Sequence, residues 1–323
     1  ASFFRELREH ALVEDVQALL RLEAPADLSI EDRAEYALGQ ALCFYYSGEQ
    51  SRSLAIIRSV LGDLESHGVA NSVYLRLLAG LSAIYSGLGD YRAAELASLK
   101  AMKVAKQVGG DRTYRTIVAN LALIHCRLGN VEEQLAWAER AATHLGSSKD
   151  RFHYQQVHHL RAQAYAMQGR KSEALGALAD GARTDGHDIP PYLRQSWSLR
   201  EADVLALLGL RRDALKSARI GVTGEMSEVR SSSFAGAHAR WSVQVALADG
   251  GNLGRMRSWL ARQLEMEDKL DCLDQLELLN AKVWLDSRTG SADNEELQEM
   301  WQRLAALPPG VTNELRLLGM LDF

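Results

Sequence analysis

Three histidines, His153, His158 and His159, are the first residues of this chain that could do chemistry, because clustered imidazoles bind transition metals or move protons. Their spacing argues against both. Offsets of five and six residues do not set two rings one helical turn apart on one face, and no Cys or carboxylate stands at ligand spacing beside them. Carboxylate pairs come next: Glu132 with Glu133, Asp271 with Asp274, and Glu295 with Glu296. These fall at expected helix starts or on outer faces, where they complement the helix dipole and stay solvated, so nothing raises a pKa for acid–base work. The chain has no phosphate-cradling glycine loop, no dinucleotide fingerprint, no Gly-x-Ser-x-Gly elbow and no His-Glu-x-x-His. The expectation is a protein that is not an enzyme, holds no metal and needs no cofactor.

Composition narrows the class further. The 323 residues are 47% hydrophobic and 24% charged with only five prolines, the balance of an ordered, helix-rich chain. A formal net charge of -5 without a block of like charge leaves no electrostatic footprint for direct nucleic-acid binding or for an anionic membrane surface. Nowhere do 18 apolar residues run together, and the start has no basic region followed by an apolar one, so no membrane span or export signal is expected. Three scattered cysteines, Cys43, Cys126 and Cys272, read as reduced core thiols of a cytoplasmic protein.

The elements that must position any binding residue are set by a period. A turn glycine recurs at Gly48, Gly89, Gly129, Gly169, Gly209, Gly251 and Gly290, at spacings of 41, 40, 40, 40, 42 and 39 residues. Each is flanked by apolar residues at helical spacing, so each marks two amphipathic helices joined by a tight turn. The clearest instance runs Leu78, Leu81, Ser82, Tyr85, Gly89, Asp90, Tyr91, Ala94, Ala101, with small Ser82 and Ala94 where the helices approach closely. Gln134 stands at the usual small position of the third repeat, and Gln244 and Met256 at those of the sixth. Pro191 falls in the first turn of a helix, where proline is tolerated.

Small or apolar residues seven or eight positions before the glycine, an aromatic or apolar residue four before it, and Ala five and twelve after it resemble the tetratricopeptide repeat (TPR). The period near 40 departs from the 34-residue form, and the proline that usually closes the second helix is missing. The longer repeat is similar to those of kinesin light chains, Pins/LGN adaptors, Rap-type peptide receptors and the sensor region of MalT-like regulators. The resemblance implies an all-α, right-handed superhelical solenoid of about seven antiparallel helix pairs. One continuous domain is expected: a capping helix region over residues 1–30, seven repeats over 31–307 and a capping helix over 308–323.

In that family the first helix of each pair lines a concave groove, and the resemblance implies which residues face it. Asn120 and Arg127 come from the third repeat, Gln156, His159 and Gln163 from the fourth, and Arg200 and Asp203 from the fifth. His238 and Trp241 come from the sixth, Asn280 and Trp284 from the seventh. The types suit an extended peptide: amides can both donate to and accept from its backbone, Arg takes carboxylates, and indoles can anchor side chains. Polar groups on three successive first helices single out repeats three to five, whereas the second repeat offers Ala79, Gly80 and Ala83 and reads as a packing template.

The function expected is a non-enzymatic module, the regulatory or scaffold part of a bacterial system, that binds a protein or peptide segment in the groove. Two other readings stand beside it. One is a sensor of a small-molecule effector or signal peptide, resembling the MalT-like class, in which ligand changes the solenoid's curvature. The other is a structural self-assembly module.

Overall fold

The computed structural model describes residues 28–46, 49–145, 151–183, 191–222, 235–265 and 272–290, together with 295, 298, 299, 302 and 305. Thirteen helices are bounded within these segments. They are α1 (Ile30–Tyr46), α2 (Gln50–Ser66), α3 (Ser72–Gly87), α4 (Tyr91–Val108), α5 (Asp111–Leu128) and α6 (Val131–Leu145). There follow α7 (Arg151–Met167), α8 (Lys171–Ala182), α9 (Pro191–Leu207), α10 (Arg211–Gly221), α11 (Ala235–Asp249), α12 (Leu253–Leu264) and α13 (Cys272–Arg288). No strand occurs among the described residues. The expected caps over 1–30 and 308–323 and the turn at Gly48 lie outside the described residues, apart from residues 28–30.

The pairs are joined by one recurring turn. At Gly89, Gly129, Gly169 and Gly209 the backbone is left-handed, with φ of 79°, 76°, 73° and 73°, a conformation that costs any L side chain. The amide of the next residue then reaches back five positions: Asp90 N–H donates to Tyr85 O at 2.9 Å, Asn130 to His125 at 2.9 Å, Arg170 to Tyr165 at 2.8 Å and Leu210 to Leu205 at 2.8 Å. This is a Schellman closure, which satisfies carbonyls that the helix end leaves open. The second helix starts at once, and Asp90 caps α4 by accepting from Ala93 N–H at 3.0 Å.

The sixth turn differs from the expectation by one residue. The left-handed glycine is Gly250, φ 66°, and Gly251 takes the place of Asp90, its amide 2.7 Å from Ala246 O. Asn252 then caps α12 through Arg255 N–H at 2.9 Å, so this turn holds one residue more than its counterparts. Two adjacent glycines are equally able to turn left-handed, and the sequence does not say which does. Counted from Gly250, the positions seven and eight earlier are Val243 and Ser242, both buried, instead of Gln244.

The chain divides into two compact units, Ala1–Asn120 and Leu121–Phe323, with the boundary inside α5. In the first, α1 packs on α2 and α3 on α4. Serines allow the close approach: Ser53 Oγ donates to Ala41 O at 2.6 Å, and Ser82 Oγ meets Ala94 O at 3.0 Å and Ser98 Oγ at 2.6 Å. Buried Ile57, Leu64, Leu75, Leu77 and Leu78 fill the space between the helices. Glu65 accepts from Tyr74 at 2.7 Å and from Lys100 at 2.6 Å, and these bonds hold its carboxyl below the usual range.

In the second unit α6 packs on α7, α7 on α8, α7 on α9, α9 on α10, and α11 on α13. Its core is built from alanines where helices touch, such as Ala162, Ala174, Ala202, Ala214 and Ala218, with the large Trp197 and Trp241 between them. Gly181 marks the tightest approach, because a Cβ there would lie 2.2 Å from Trp197 Cη2 and 2.9 Å from His158 Cβ. Gln134, at the usual small position of the third repeat, is buried and donates to Leu160 O at 2.9 Å and to Gln163 at 3.3 Å. A hydrogen bond there does the work of a small side chain.

Candidate functional site

Helix α7 carries a stripe, Phe152, Gln156, His159 and Gln163, at spacings of four, three and four residues, so the four side chains share one face. Neighbouring helices flank it. On one side Cys126 of α5 donates its thiol to Gln163 Oε1 at 3.2 Å. On the other, the Arg200 guanidinium of α9 stands 5.7 Å from the centre of the Phe152 ring. Gln156 and Gln163 are buried, and Arg127 and Arg200 are half-buried.

His159 sits in the middle of the stripe with its Nε2 enclosed and without a hydrogen-bond partner among the described residues. Its pKa is held well below the usual histidine value, first by burial and then by the charges of Arg200, Arg127 and Arg240. The ring is therefore neutral near pH 7, in a positive local field. His158, one position earlier, faces the other way; burial and the neighbouring Arg161, whose Nη1 is 3.1 Å from Nδ1, push it down to about 4.

On α9, α11 and α13 the polar residues form a network. Asp203 on α9 accepts from Arg240 of α11 through two bonds, Nη1 to Oδ1 at 2.5 Å and Nη2 to Oδ2 at 3.1 Å, and from Trp241 Nε1 at 2.7 Å. Arg240 Nη2 also lies 3.7 Å from Glu277 of α13. Gly236 permits this contact, since a Cβ there would meet Glu277 Cβ at 2.6 Å. Its amide donates to Asp274 at 2.8 Å, so Asp274, expected to be solvated at a helix start, is a buried acceptor instead. Asp271 lies outside the described residues.

Asn280, one turn beyond Glu277, is fully buried, and neither Nδ2 nor Oδ1 has a hydrogen-bond partner among the described residues. Leaving such a group unmatched costs about 1–3 kcal/mol. The remaining residues expected in a groove are placed otherwise. Trp241 and Trp284 are core indoles, in the clusters around Trp197 and Trp259 respectively. His238 is buried with its ring 5.8 Å from that of Trp259, and burial pushes it down to about 4. Asn120 is half-buried and belongs to the first unit.

Arg240 is the residue that counting from Gly251 missed. Measured from Gly250 it stands ten positions before its turn glycine, as His159 does before Gly169 and Asn280 before Gly290. Three unlike polar residues thus occupy one register position on α7, α11 and α13. Among the described residues no three His, Cys, Asp or Glu side chains are grouped to hold a metal ion, and no helix is long and apolar enough to cross a membrane.

Comparison with solved structures shows the fold to be that of a TPR-like helical repeat. It is similar to the Rap conjugation gene regulator of the plasmid pLS20, solved in complex with a Phr peptide, at TM-score 0.59 and 13% identity over 98% of this chain and 87% of that one. It is also similar to the apo form of the quorum sensor NprR from B. thuringiensis, at TM-score 0.61 and 12% identity over 93% and 82% of the two chains. No protein-family model matches the sequence, and no curated protein matches it.

Proposed function

We propose that this chain is a non-enzymatic regulatory module that receives an extended protein or peptide segment along the first helices of its second unit. The observation that carries the reading is that His159 Nε2 and the whole Asn280 amide, at the same register position of α7 and α13, are enclosed polar atoms without a bond partner among the described residues. An extended peptide offers the unpaired N–H and C=O groups that such atoms lack. The likeness to a gene regulator solved in complex with a Phr peptide, over most of both chains, supports the same reading.

That the module is not an enzyme is supported by the use of its buried carboxylates. Asp203, Asp274 and Asp286 are each engaged by internal donors, Asp286 by Arg257 at 2.6 Å and Lys282 at 3.1 Å. A cytoplasmic setting is supported by Cys43 and Cys126, both buried thiols, the second spent on Gln163.

The test uses pooled pentapeptides and fluorescence anisotropy on the wild-type chain and on Asn280→Leu. A near-isosteric apolar side chain removes the unmatched amide, so the variant should be more stable by about 1 kcal/mol or more in urea and bind the pools at least tenfold more weakly. Equal binding by both proteins overturns the placement, and no binding to any pool overturns the reading.

A further inference from the structure

We infer that the peptide site of the second unit is bipartite and selects for length: His159 on α7 and Asn280 on α13 are its two ends, and a segment that meets both has at least about seven to nine residues. This rests on the peptide-binding reading and adds to it the span of the segment.

The two residues stand at one height in their helices, each ten positions before its left-handed turn glycine, Gly169 and Gly290. Between them come α9 and α11. Helix α7 packs on α9 and α11 packs on α13, while Asp203 of α9 is tied to Arg240 of α11 at 2.5 Å. Packed helices lie about 8–10 Å apart, so three steps along this row cover about 24–30 Å. An extended chain advances about 3.3 Å per residue, so a pentapeptide reaches about 17 Å and cannot touch both ends.

His159 Nε2 and both polar atoms of the Asn280 amide are enclosed and lack a hydrogen-bond partner among the described residues. The two positions between them are occupied differently. On α9 the same register holds Leu199, which is buried and packs on α10, where a Cβ at Gly221 would lie 2.6 Å from its Cδ2. On α11 it holds Arg240, whose Nη groups go to Asp203 and stand 3.7 Å from Glu277. The ends also differ in capacity. Asn280 can accept from the N–H and donate to the C=O of a peptide chain, whereas Nε2 of the neutral His159 ring makes a single bond. A short segment therefore engages α13 first, and a longer one adds the α7 end at the high effective concentration that the first contact provides.

The probe is a nested set of labelled random peptide pools, five to eleven residues long in steps of one. Anisotropy is read on wild type, His159→Leu and Asn280→Leu, with the urea midpoint of each recorded to confirm folding. In wild type the affinity should rise at least tenfold in a step between six and nine residues and stay level beyond it. The additional registers open to a longer peptide give a smooth rise instead, so the shape of the curve separates the two. His159→Leu should abolish the step and leave pentapeptide binding within about twofold of wild type. Should that variant disturb folding, Asn280→Leu, which also leaves one end, carries the test and must lose the step as well. A stepless curve in wild type, or a step that survives both substitutions, overturns the two-ended site and leaves peptide binding standing. Failure of every pool at every length to bind overturns both.

Discussion

The Arg240 guanidinium meets the Asp203 carboxylate fork to fork, Nη1 at 2.5 Å from Oδ1 and Nη2 at 3.1 Å from Oδ2, with both side chains withdrawn from solvent. A paired charge of this kind contributes little over an apolar pair of the same volume, because desolvation offsets the attraction. Breaking it is another matter. Asp203→Ala strands a guanidinium that is 2% exposed and removes the acceptor of the Trp241 indole, so it should lower stability by about 3–5 kcal/mol. Replacing both, Asp203→Leu with Arg240→Met, should cost far less. Urea denaturation of the two variants measures the difference, and equal losses would show that the pair itself is the source of stability.

His238 makes stability depend on pH. Its pKa in the folded chain, about 4, lies below the ordinary value of 6.5, so the unfolded chain binds the proton first. Stability is therefore full above about pH 6.5, falls as the pH drops towards 4, and is no longer affected by this group below that; the total loss is about 3 kcal/mol. His238→Gln should remove this part of the slope between pH 6.5 and 4 in a series of urea midpoints. An unchanged slope would assign the acid sensitivity to other groups.

Three glycines should respond to alanine in three different ways. Gly181→Ala sets a methyl 2.2 Å from Trp197 Cη2, an overpacking that costs about 1–3 kcal/mol. Gly209→Ala forces an L side chain to φ +73° and costs about 1–2 kcal/mol. Gly176 lies within α8 with nothing within 4 Å of a Cβ, so alanine there should stabilise by about 0.5–1 kcal/mol. Thermal denaturation of the three variants checks the order, and a destabilised Gly176→Ala would contradict the open surroundings of that position.

The helix pairs were legible because one residue type, a glycine forced to be left-handed, punctuates the chain at Gly89, Gly129, Gly169 and Gly209. Legibility failed where two glycines adjoin. Choosing Gly251 over Gly250 shifted α11 by one position, which put Trp241 where Arg240 stands and hid the centre of the polar network. The partners of Gln134 and Asp274 were not legible for a different reason. A short helical pattern identifies a buried position but not the hydrogen-bond partner that makes a polar side chain suitable there, and those partners, Leu160 O and Gly236 N–H, come from other helices.

Arg240 touches Asp203 of α9 and, at 3.7 Å, Glu277 of α13, so one cation is shared by three consecutive repeats. A stack held by apolar contacts between neighbours can fray from its end, one repeat at a time. Here α13 cannot leave without stripping a carboxylate from a buried guanidinium, and α9 cannot leave without stripping the other. The three helices are thereby fused into one cooperative folding block, and their amides should exchange with solvent deuterium on a common plateau, where independent repeats would give a gradient.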